Sequence, residues 1–83
     1  MTNKEFIEKY GNRELLDITD SLYTRLSVLK MNRGIGKFRI SKRKKIVYFY
    51  IGGTIIHLEV AKVYSLTDDK LLSLLEQITL TLK

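Results

Sequence analysis

Lys37-Phe38-Arg39-Ile40-Ser41, Lys42-Arg43-Lys44-Lys45, Ile46-Val47-Tyr48-Phe49-Tyr50-Ile51, Gly52-Gly53 and Thr54-Ile55-Ile56-His57-Leu58-Glu59-Val60 follow one another without a break. Three segments rich in β-branched and aromatic residues, separated by two turn signals, read as three strands. Gly52-Gly53 suits a two-residue hairpin turn, because both of its central positions need positive φ. A turn there pairs Ile51 with Thr54, Phe49 with Ile56 and Val47 with Leu58. A turn centred on Arg43-Lys44 pairs Ile40 with Val47 and Phe38 with Phe49. Both turns send the same side chains of the middle strand inward, giving an apolar face of Phe38, Ile40, Val47, Phe49, Ile51, Ile56 and Leu58. A slip of one residue in either turn inverts that face, so the agreement predicts an antiparallel meander with helices on its apolar side.

Upstream of this run the hydrophobic period is helical. Thr2-Asn3-Lys4-Glu5 fits a capping box, followed by Phe6, Ile7 and Tyr10 on one face and Gly11 as a stop. Asn12 can cap a second helix. In it Leu15, Ile18, Leu22, Leu26 and Leu29 recur at the spacing of an amphipathic stripe. Asp17, Asp20, Ser21 and Thr24 take the other side, and Gly34 is the expected left-handed stop. Downstream, Ala61–Ser65 reads as a prolongation of the third strand or the start of a loop. Thr67 then caps a last helix with Asp68 and Asp69 in its first turn and Leu71, Leu75, Ile78 and Leu82 on one face, broadened by Leu72 and Leu74. The expected architecture is α+β, in the order α-α-β-β-β-α, as a single domain over residues 1–83.

The charge is concentrated. The chain has 83 residues and a net charge of +6. Residues 1–20 carry −2 and residues 46–83 carry −1. Between them Arg25, Lys30, Arg33, Lys37, Arg39, Lys42, Arg43, Lys44 and Lys45 stand without a single acid. A local field of this kind attracts polyanions and speeds their encounter. On the meander, the face opposite the apolar one carries the rows Arg39–Tyr48–His57 and Lys37–Tyr50–Ile55, with Ile46 beside Glu59. Cations neutralise phosphates, and flat rings offer stacking surfaces for bases. The expected nucleic-acid-binding residues are therefore Arg33, Lys37, Arg39, Lys42, Arg43, Lys44, Lys45, Tyr48, Tyr50 and His57.

Other chemistry has little to work with. There is no cysteine, which removes disulfides, thiol nucleophiles and cysteine-based zinc sites, and His57 is the sole histidine. No cofactor is expected and no catalytic residue is assigned, although the outer face brings His57 near Tyr48, Arg39 and Glu59, residue types that ribonucleolytic chemistry uses. The Gly-Gly pair joins two strands and opens no helix, so it is not a phosphate loop. No apolar run approaches the ~18 residues of a membrane span, and Met1-Thr2-Asn3-Lys4 does not open like a signal peptide. The expectation is a cytoplasmic protein without a membrane partner.

Gly36-Lys37-Phe38-Arg39-Ile40, Lys45-Ile46-Val47-Tyr48-Phe49-Tyr50 and Ile55-Ile56-His57-Leu58-Glu59-Val60-Ala61-Lys62 resemble the sheet of RelE/HigB-type toxins. That family sets a two-helix hairpin before such a meander, as residues 3–33 would here. The resemblance implies a ribosome-dependent mRNA endonuclease with an antitoxin partner, and it matches Arg39, Lys45 and Lys62 to basic positions of the family's sheet. The family's first strand has no counterpart in Met1–Tyr10, and Tyr64 is displaced from the family's terminal catalytic motif. The helix and strand order from residue 13 is also similar to a double-stranded-RNA-binding domain. That family's Gly-Pro-x-His loop and lysine-rich final helix are missing here.

Three functions follow from these readings. The first is a basic module that binds RNA or DNA through its hairpin and its Tyr/Arg sheet face. The second is an inhibitor or adaptor, of the sort mobile elements encode, that docks its basic patch on an acidic surface of a host complex such as a nucleic-acid-guided defence nuclease. The third is a RelE-like ribonuclease. An unpaired edge strand or the tyrosine face also offers a surface on which two copies can pair as a homodimer.

Overall fold

The computed structural model describes residues 1–81. Its elements are α1 (Asn3–Tyr10), α2 (Asn12–Arg33), β1 (Lys37–Ser41), β2 (Ile46–Ile51), β3 (Thr54–Glu59), α3 (Val60–Ser65) and α4 (Asp68–Thr81). The strands form one antiparallel sheet in the order β1-β2-β3. Both registers are those the two turns dictate: Phe38 faces Phe49 and Ile40 faces Val47, while Phe49 faces Ile56 and Val47 faces Leu58. Gly52 and Gly53 both take positive φ, at 56° and 81°.

One continuous core lies between the inner sheet face and the helices. Val47, Phe49 and Ile56 are buried against Leu15, Ile18, Leu22, Leu26 and Leu29 of α2, with Phe38, Ile40, Ile51 and Leu58 packed around them. From α4 come Leu71 and Leu75, flanked by Leu72 and Ile78; Leu82, the expected end of that stripe, lies outside the described residues. Lys70 donates its backbone N–H to the Thr67 hydroxyl, the expected cap. Gly34 closes α2 in the left-handed conformation.

Two expectations are corrected. Ala61–Ser65 is neither strand nor loop: together with Val60, it forms the short helix α3, whose Val60, Ala61 and Val63 are buried. The β-branched Val60 and Val63 disguise it, because local preference favours a strand while burial against α2 settles on a helix. Asn12 does not cap α2. Gly11 alone makes the corner, ending α1 through its N–H to the Ile7 carbonyl (2.9 Å) while its own carbonyl accepts from Leu15 (3.4 Å). Its φ of 100° is the turn, so Asn12 is already helical. On α1 only Phe6 is buried, and Tyr10 leans on it from the rim with ring centroids 4.7 Å apart.

The start of α1 and the start of α3 cap each other. Asn3 donates its side-chain amide to the Lys45 carbonyl (2.8 Å), and its side-chain oxygen accepts from the Ala61 N–H (2.9 Å). In return, the Glu59 carboxylate accepts from the Asn3 backbone N–H at 2.7 Å. The first N–H groups of a helix have no partner within it; here each helix supplies what the other lacks. Within α1 the Glu5 N–H also reaches the Thr2 hydroxyl at 3.1 Å, the forward half of the expected capping box. Replacing Asn3 with alanine strands the Ala61 N–H, at a residue only 1% exposed. The expected loss is about 1–3 kcal/mol of stability, read by urea denaturation. A loss within a few tenths of a kcal/mol would show that water replaces Asn3 without difficulty.

Candidate nucleic-acid interface

The outer face of the sheet is a grid of nine side chains. Ser41, Ile46 and Glu59 form the row nearest the β1–β2 turn; Arg39, Tyr48 and His57 form the second; Lys37, Tyr50 and Ile55 form the third. Strand alternation places them there: their neighbours in sequence are the core residues of the inner face. Among the described residues no helix covers the grid; the helices pack on the inner face. Lys37, Arg39, Ile55 and His57 are exposed, while Tyr48 and Tyr50 are half-buried by the rows beside them.

Within the second row the Arg39 guanidinium lies 5.7 Å from the centre of the Tyr48 ring, and the His57 ring lies 6.3 Å from it at 51°. A cation at this distance from a phenol face is held electrostatically, worth about 0.5–1 kcal/mol at an exposed site. The contact keeps the guanidinium over the sheet. Tyr50 is paired with no ring and no cation among the described residues. Glu59 is the one acid of the grid, and its carboxylate is engaged by the Asn3 N–H.

The Lys42–Lys45 turn continues the grid at its first-row end. Lys45 donates its N–H to the Ser41 carbonyl at 2.7 Å, and Lys44 donates its N–H to the Ser41 hydroxyl at 3.2 Å. Lys45 has φ of 56°, in the left-handed region that glycine favours. A side chain there costs on the order of 1 kcal/mol. The Lys45 carbonyl holds it in place by accepting from both Val60 N–H (3.0 Å) and the Asn3 side chain. The bend is therefore fixed by the cross-capping of α1 and α3, with Arg43 and Lys44 exposed at its tip.

Two of the ten expected residues stand apart from this face. Lys42 follows the inward parity of Phe38 and Ile40 and pairs with Asp20 of α2 at 2.9 Å. Arg33, at the end of α2, pairs with Asp69 at the start of α4 at 3.3 Å. Both pairs are more than half exposed on each lysine, arginine and aspartate side chain, so each contributes little to stability. They do, however, lower the positive field on the helical side. Arg25 is consumed structurally, donating to Asp68, the Val63 carbonyl and the Leu66 carbonyl at the α3–α4 corner. Lys62, matched above to a basic sheet position, lies on α3. The structure sets Lys37, Arg39, Tyr48, Tyr50 and His57 on the outer face and Arg43, Lys44 and Lys45 in the turn at its end.

Asn3 is the residue that reading the sequence missed. Its partners lie 42 and 58 positions away, and no local pattern joins them. Among the described residues no group of histidine and acidic side chains is placed to hold a metal ion, and no helix is long and apolar enough to cross a membrane. No protein-family model matches the chain, and neither a curated protein nor a solved structure is found to match it.

Proposed function

We infer that the protein binds nucleic acid, RNA or DNA, by laying the phosphate backbone over the outer sheet face and the Lys42–Lys45 turn. One observation carries the reading. Lys37 and Arg39 lie on the outer face and Arg43, Lys44 and Lys45 in the turn at its end, none of them enters an ion pair among the described residues, and the face's single acid is taken up by Asn3. Cations outside any ion pair beside half-exposed rings favour an anionic polymer with bases over a purely ionic partner. The nuclease reading would enlist Glu59 beside His57. The Asn3 N–H engages that carboxylate, which is why binding rather than cleavage is proposed.

The test is affinity for a labelled oligonucleotide as a function of salt. Five phosphate contacts give an expected slope of log affinity against log salt of roughly −3.5 to −4.5, at about −0.7 to −0.9 per contact. A protein that binds neither RNA nor DNA at 50 mM salt would end the proposal. Retention of an acidic protein partner after nuclease treatment would replace it with the docking reading.

A further inference from the structure

We propose that the nucleic acid this face takes is single-stranded, with bases splayed onto the Tyr48 and Tyr50 rings; the inference rests on the nucleic-acid reading above and specifies its ligand.

Spacing carries the inference. Tyr48 and Tyr50 stand on the same face of β2, two residues apart, which is about 7 Å along a strand. Bases in a duplex follow one another at about 3.4 Å, and each is already stacked on both sides. No duplex base offers a free ring face to either tyrosine. In a single strand the bases come apart readily, and successive ones stack on separate aromatic platforms. A ring spacing of twice the base rise suits a strand whose bases have been drawn apart.

Width points the same way. The major groove of DNA admits an α-helix or a two-stranded ribbon. The face here is three strands wide with helices packed behind it, broader than such a ribbon. The chemistry around the rings completes the platform. Ile55 is 58% exposed beside Tyr50, an open apolar surface next to the ring. Arg39 lies over the Tyr48 ring, so a base reaches that position by stacking on the planar guanidinium or by displacing it toward a phosphate. Lys37 ends one side of the rows, and Arg43 and Lys44 end the other. A backbone can therefore run along β2 with a cation at each end and two rings between.

The experiment compares four labelled 12-nucleotide ligands of one sequence by fluorescence anisotropy at fixed salt: single-stranded RNA, single-stranded DNA, and the two duplexes. Either single strand is expected to bind about tenfold or more tightly than its duplex, and a difference between RNA and DNA names the sugar. The double variant Tyr48→Leu, Tyr50→Leu should lose about tenfold or more in single-strand affinity with its salt slope unchanged. Its counterpart Tyr48→Phe, Tyr50→Phe keeps the rings and should keep the affinity, and a thermal melt of each variant reports folding. The chain has no tryptophan and five tyrosines, so stacking should also quench its tyrosine emission on single-strand addition. Equal binding of duplex and single strand, or full affinity in a folded leucine variant, would overturn this inference alone. Absence of binding to all four ligands would overturn the nucleic-acid reading itself.

Discussion

Replacing Lys37, Arg39, Arg43 and Lys44 together with alanine is expected to weaken oligonucleotide binding by roughly two to three orders of magnitude at 0.15 M salt. The estimate follows from counterion release. Each phosphate contact contributes about −0.7 to −0.9 to the log–log slope, so relative to 1 M salt each one lost removes roughly a factor of four to five at 0.15 M. All four side chains are exposed and outside any ion pair among the described residues, so the fold should survive. The Lys44 bond to Ser41 comes from its backbone and is retained. The loss should be equal for unrelated sequences, because phosphates carry no sequence information, and the salt slope should fall by about three. The control is the pair Arg33→Ala, Lys42→Ala, which removes cations already facing Asp69 and Asp20. If the control weakens binding as much per cation as the quadruple variant, net charge alone governs affinity and the sheet face has no special part.

Phe49→Ala is expected to cost about 3–5 kcal/mol of folding stability. Phe49 has 0% exposure at the centre of the middle strand, where its ring meets the inner sheet face and the helices packed on it. A chain of this size has a total stability of roughly 5–10 kcal/mol, so the variant should be close to unfolding in water. The adjacent substitution Tyr48→Leu is expected to cost about 1 kcal/mol or less, because Tyr48 belongs to the outer grid. Urea denaturation of the two variants side by side reads the register directly. Comparable losses would mean that the two faces of β2 are not assigned as described.

The contrast between those neighbours also shows why so much of the sheet is legible in the sequence. Strand alternation has a period of two, and both turns independently give the same parity to β2, so Phe38, Phe49 and Ile56 align without any tertiary information. The stripe of Leu15 to Leu29 is equally local. What escapes is long-range. Val60–Ser65 favours a strand by composition and becomes a helix because three of its side chains are needed in the core. Asn3 looks like an ordinary first-turn residue, and only folding brings Lys45, Glu59 and Ala61 to it. The candidate site divides along the same line. Alternation predicts the rows of Arg39 and Lys37 with their tyrosines. The diversion of Lys42 and Arg33 toward Asp20 and Asp69 depends on where α2 and α4 dock, which no local pattern encodes.

The tie between Asn3, Lys45 and Ala61 has a practical corollary for handling the protein. Asn3 is pinned where the β1–β2 bend meets the sheet, so anything fused ahead of Met1 begins two residues from that anchor. A flexible leader of about ten or more residues spans the distance from there to the Lys42–Lys45 turn, and an acidic one would compete with nucleic acid for the lysines. Binding measurements should therefore be made on protein from which any leading tag has been cleaved.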